Sequence, residues 1–75
     1  MTLLTKRDCH LCEAARDVIT RVAAECGVEW AEKDITDSPD LLRRYGEYVP
    51  VTLVDGREID HWRVRESRLR GALGR

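Results

Sequence analysis

Residues 2–27 read TLLTKRDCHLCEAARDVITRVAAECG: a short apolar run, a Cys-x-x-Cys motif, and a long stretch with helical spacing. The motif, Cys9-His10-Leu11-Cys12, stands where a strand gives way to a helix. At such a junction the first sulfur lies near the free N–H groups of the first turn, where the partial positive charge of the helix end favours thiolate over thiol. That thiolate is the nucleophile of disulfide exchange. The second cysteine lies almost one turn along the same face and can attack a mixed disulfide formed by the first.

Cys-x-x-Cys is also half of many zinc sites, which need a second pair of ligands. The chain offers only one more cysteine, Cys26, and two histidines, His10 and His61. A helix from Cys12 to Cys26 separates those sulfurs by about 20 Å at 1.5 Å of rise per residue. They cannot share a metal ion, and no tightly bound metal or cofactor is expected.

Outward from the motif, Thr2–Thr5 reads as a strand. Leu11, Ala15, Val18, Ile19, Val22, Ala23 and Cys26 recur at three- and four-residue spacing, one stripe of an amphipathic helix that Gly27 stops. Val28–Ile35 alternates around Trp30 and reads as a second strand. Strand, helix, strand in so short a span implies a parallel pair. Asp37-Ser38-Pro39 supplies a cap and a proline for a short helix running through Leu41, Leu42 and Tyr45 to Gly46. Val51–Val54 and Arg57–Trp62 flank Asp55-Gly56, the pair that suits a type I′ hairpin turn. A last helix follows, with Val64, Leu69, Ala72 and Leu73 as its apolar face. The order βαβαββα makes residues 1–75 a single α/β domain, near the lower size limit for a self-sufficient core. Trp30 and Trp62 are expected to complete that core, Cys26 to pack as a small hydrophobe, and Tyr45 and Tyr48 to serve in the core or in a groove wall.

A formal net charge of −1 gives no reason to expect nucleic-acid binding. The arginines Arg63, Arg65, Arg68, Arg70 and Arg75 read as the solvated face of the last helix. No apolar run approaches the roughly 20 residues that span a bilayer, and no apolar leader follows Met1. The expectation is a cytoplasmic monomer without membrane contact, in a compartment where a Cys-x-x-Cys pair is catalytic or sensing.

With these residues in place the chain resembles the thioredoxin-like superfamily, in particular its small glutaredoxin-like branch. Thr5-Lys6-Arg7-Asp8-Cys9-His10-Leu11-Cys12 is similar to the T-K-x-x-C-x-x-C segment of glutaredoxins, Gly27–Ile35 to their second strand, and Val49-Pro50-Val51 to their V-P motif. The resemblance implies a thioredoxin-like, glutaredoxin-type βαβαββα sandwich with a four-stranded mixed sheet. It implies that Cys9 attacks, that Cys12 resolves, and that Val49-Pro50 is a cis bond beside Cys9, where the alternative is a trans proline opening a strand. Lys6, Tyr48, Val49 and Pro50 then border a substrate groove in which the Val49 backbone pairs with an extended thiol substrate. Arg7 and His10 are candidate modulators of the Cys9 thiol, although His10 can equally be a solvated residue.

Glutaredoxins usually carry Pro-Tyr between the cysteines, a Thr before V-P, and a Gly-Gly-x-Asp turn that receives glutathione. Here His10-Leu11, Tyr48 and no Gly-Gly occupy those places. Asp60-His61-Trp62 instead resembles the D-H-W stretch of the small redoxins that reduce ribonucleotide reductase and are recharged by thioredoxin reductase. Three functions follow from the sequence. One is a thiol-disulfide oxidoreductase acting on a disulfide-containing protein, with a thioredoxin reductase-like enzyme or glutathione as reductant and glutathione as a possible co-substrate. The others are an iron–sulfur or zinc protein binding through Cys9, and a silent redox-sensing or adaptor domain.

Overall fold

A computed structural model describes residues 1–74. Seven elements follow one another: β1 (Thr2–Thr5), α1 (His10–Cys26), β2 (Ala31–Asp34), α2 (Pro39–Tyr45), β3 (Val51–Val54), β4 (Arg57–His61) and α3 (Glu66–Leu73). The sheet runs β2-β1-β3-β4, with β1 parallel to β2 and the other two pairings antiparallel. This is the four-stranded mixed sheet of a thioredoxin-like fold.

Adjacent leucines on β1 show why the sheet needs helices on both sides. Side chains alternate along a strand, so Leu3 and Leu4 point to opposite faces, yet both are buried. Leu3 joins Ala15, Ile19, Val22, Val54 and Leu69 under α1 and α3. Leu4 joins Ile35, Val49 and Val51, against which Leu41, Leu42 and Tyr45 of the α2 side pack. The apolar stripe of α1 supplies Ala15, Ile19, Val22 and Ala23 to the buried set, and Gly27 ends the helix in the left-handed conformation at φ 66°.

Two boundaries differ from those the sequence suggested. The second strand begins at Ala31 rather than Val28, because Val28 N–H still closes the end of α1 on Ala23 O and Trp30 packs beside the Leu3 cluster before pairing starts. Its four residues, Ala-Glu-Lys-Asp, are all exposed, so the edge is blunted by charge rather than read from hydrophobic alternation. The fourth strand ends at His61. Asp55 and Gly56 both have positive φ, as a type I′ turn requires, and a bulge leaves Ile59 as the extra residue between Glu58 and Asp60.

The arginine-rich end also departs from a simple helix face. Arg63 and Arg65 precede α3, and Arg75 lies outside the described residues. Arg65 occupies the N-cap position, where its side chain cannot accept a backbone hydrogen bond. Among the described residues no side chain caps the first turn; the Asp60 carboxylate, buried at 1% exposure, instead anchors the residue before it, accepting from the backbone N–H of Arg65 at 3.0 Å and of His61 at 3.0 Å. Arg65 Nε and Nη2 add bonds of 3.2 and 2.8 Å. Burial pushes the Asp60 carboxyl up, and the Arg65 and His61 donors overcome it, leaving the group below the ordinary aspartate range.

Candidate active site

Asp8 turns the chain out of the β1 loop at φ 58°, a conformation that aspartate tolerates better than most residues, and delivers Cys9 to the N-cap of α1. Cys9 is extended at φ −98°, ψ 105°, and no side chain caps the helix. The sulfur therefore shares the helix end with free N–H groups. Cys9 and Cys12 form a disulfide with Cα atoms 5.5 Å apart, and Cys12 N–H reaches Cys9 O at 3.3 Å. Cys12 is buried while Cys9 is only partly so, which makes Cys9 the accessible sulfur.

Cys9 packs against the cluster containing Val49, and the Val49–Pro50 bond is cis. Tertiary packing thus brings Cys9, tied to Cys12 by the disulfide, against the cluster to which Val49 belongs. The other candidates are tethered elsewhere. Lys6 donates its ammonium to Gly46 O at 2.8 Å, bracing the end of α2. Arg7 donates its backbone N–H to Thr36 Oγ1 at 3.0 Å and reaches Asp37 with its guanidinium at 3.4 Å. His10 is exposed. Tyr48 is 43% exposed and stacks not on the disulfide but edge-on to His61, with ring centroids 5.5 Å apart, and at a tilt to Trp62, 6.3 Å away.

Trp62 corrects the expectation that both tryptophans fill the core. Its side chain is 49% exposed and its backbone is left-handed at φ 64°, a conformation that a bulky residue adopts at a cost of order 1 kcal/mol or more. Three hydrogen bonds hold it there: its backbone N–H donates to Pro50 O at 2.9 Å and Tyr48 O at 3.2 Å, and its indole N–H to Glu47 O at 2.9 Å. All three acceptors belong to the segment carrying the cis bond. With Leu11, His61, Arg63 and Arg65, Trp62 lines a groove of about 600 Å³. Leu11, between the two cysteines and 47% exposed, ties this groove to the disulfide. From sequence, none of these groove residues is assigned to a site: Leu11 and Trp62 read as packing residues because large apolar side chains are usually buried, and Arg63 and Arg65 as a solvated face.

Cys26 is partly buried against the Leu3 cluster, with Arg70 Nη1 3.8 Å from its sulfur. Among the described residues no group of three or more His, Cys, Asp or Glu side chains is gathered to hold a metal ion. None of the described helices is long and apolar enough to cross a membrane.

A disulfide-forming Cys-x-x-Cys at the start of the first helix of a βαβαββα sandwich that also carries a cis Val49–Pro50 bond defines a thioredoxin-like protein fitted for a redox role. Residues 1–74 match the family model described as Glutaredoxin-like domain (DUF836), and the chain belongs to that family. Uncharacterized protein Rv0508 of Mycobacterium tuberculosis is 33% identical over 78 residues, covering 97% of this chain and 80% of the relative. Uncharacterized protein Mb0520 of Mycobacterium bovis matches to the same extent. The X-ray structure of target protein XcR50 from X. campestris superposes with a TM-score of 0.77 at 34% identity, covering 97% of this chain and 93% of that one.

Proposed function

We propose that the protein is a thiol-disulfide oxidoreductase in which Cys9 attacks and Cys12 resolves. The observation that carries this is the asymmetry of the pair: Cys9 is accessible at an uncapped helix N-terminus, and Cys12 is buried one turn behind it. In the reduced protein the Cys9 thiolate attacks one sulfur of a substrate disulfide, forming a mixed disulfide and expelling the other sulfur as a thiolate that takes up a proton. Cys12, losing its proton, then attacks the Cys9 sulfur and expels the second substrate thiolate. Two electrons leave the dithiol, the Cys9–Cys12 disulfide forms, and the substrate becomes two thiols.

Val49 supports a docking role. It belongs to the cluster that Cys9 packs against, and among the described residues its backbone N–H and C=O make no hydrogen bond, so an extended substrate can pair with them as an added strand. Lys6 uses one donor on Gly46 O and retains two for a substrate carboxylate.

The disulfide is returned to the dithiol by an external two-electron thiol reductant. We propose a thioredoxin reductase-like enzyme in preference to glutathione, because Trp62, Arg63 and Val64 follow β4 where a glutathione-binding turn needs small residues. The test is to present the oxidised protein to each reductant system and titrate the thiols released. Faster reduction by the reductase system is expected. Efficient reduction by glutathione with none by the reductase overturns the choice of reductant, and failure of both overturns turnover itself.

A further inference from the structure

Arg63 differs from the other arginines around α3 in having no carboxylate partner among the described residues. Arg65 is bound to Asp60, Arg68 lies 3.9 Å from the same carboxylate, and Arg70 pairs with Glu66 at 2.9 Å and with Glu25. Among the described residues Arg63 makes no ion pair, although the chain as a whole carries a net charge of −1. It lines the groove with Leu11 and Trp62, and no carboxylate lines it with them. The groove is thus apolar along Leu11 and Trp62 and positive at Arg63, while Arg65 is paired with Asp60.

Trp62 is held in this position against its own preference. A half-exposed tryptophan in the left-handed region, fixed by three hydrogen bonds to residues 47–50, is a contact surface prepared in advance. Because those bonds end on the segment containing Val49, the indole and the Val49 backbone are fixed relative to each other. An extended chain paired with Val49 therefore has one wall of the groove in a defined place beside it.

We infer that the groove selects protein disulfides whose reactive cysteine is flanked by acidic residues and an apolar one. The apolar side chain lies on Leu11 and Trp62 and the carboxylates meet Arg63. This rests on the exchange reaction proposed above and names its substrate class.

The test uses two ten-residue peptides, each with one cysteine carried as a mixed disulfide with 2-mercaptoethanol. Both place Leu before the cysteine; one has two Glu after it, the other two Lys. The dithiol protein, freed of reductant, converts each to peptide thiol and mercaptoethanol while forming the Cys9–Cys12 disulfide, and the second-order rate is compared with that for bis(2-hydroxyethyl) disulfide. The acidic peptide is expected to react about tenfold faster than the basic one at low ionic strength, with the ratio shrinking as salt screens the charges. Arg63→Glu should bring the ratio to one or below. Trp62→Ala should slow both peptides by about tenfold relative to the small disulfide while preserving their ratio. Equal peptide rates in the wild-type protein at low salt, alongside normal reaction of the small disulfide, overturn the groove's selectivity and leave the exchange reaction standing. Should no disulfide oxidise the protein, both fall. The salt dependence of the unmodified protein decides the matter even where a variant fails to fold.

Discussion

Replacing Asp60 by Asn keeps the shape of the buried side chain and removes its charge. The carboxylate accepts four hydrogen bonds, two from backbone N–H groups and two from Arg65, at 1% exposure. An amide retains one carbonyl oxygen and turns an N–H₂ group toward donors, so at least one backbone N–H loses its acceptor. A hydrogen bond to a charged group contributes about 1.5–3 kcal/mol, and removing one partner of a buried pair about 3–5 kcal/mol. The Arg65 side chain is 52% exposed and water takes over its guanidinium, which brings the total to the lower end, about 2–3 kcal/mol. For a domain of this size that corresponds to a fall in Tm of roughly 10–20 °C. The loss should also depend on pH. Because the folded-state pKa lies below the unfolded one, the charge contributes fully above about pH 4 and its contribution disappears as pH falls through the depressed folded value. Thermal melts followed by circular dichroism at pH 7, 5 and 3 should show a full gap between wild type and Asp60→Asn at the first two and a narrowing gap at the third. A variant melting within about 2 °C of wild type at pH 7, or a gap that does not change with pH, refutes the role given to the carboxylate.

Cys9→Ser should abolish disulfide exchange, whereas Cys12→Ser should accumulate a mixed disulfide detectable by intact mass; equal loss without a trapped species would reverse the assignment. Ile19→Ala removes a fully buried side chain from the cluster between α1, α3 and the sheet and should destabilise by about 2–5 kcal/mol in denaturant melts. Hydrogen bonds from Arg21 and Arg70 hold Glu66 at about 2, so its ion pairs should stabilise the fold above the ordinary glutamate range and fade as pH falls toward that value. Acid titration of Glu66→Gln should lack that component, and an unchanged acid limb would count against it.

What the chain alone determines is local. The three- and four-residue spacing from Leu11 to Cys26, the Gly27 stop and the Asp55-Gly56 turn fix α1 and the hairpin, because periodicity and left-handed backbone needs are properties of neighbouring residues. Cys9-x-x-Cys12 is legible for the same reason: its two sulfurs meet across a single helical turn. β2 is shorter than the sequence suggests because its exposed edge residues carry no alternation, and its pairing with β1 is decided by partners about thirty residues away. Tertiary structure alone made the buried Asp60 carboxylate the anchor of the residue that opens α3, accepting from both the backbone N–H and the guanidinium of Arg65. It likewise turned Trp62 outward, because backbone and indole donors found their acceptors on residues 47–50, and a hydrogen bond between segments twelve or more residues apart leaves no trace in the spacing of either.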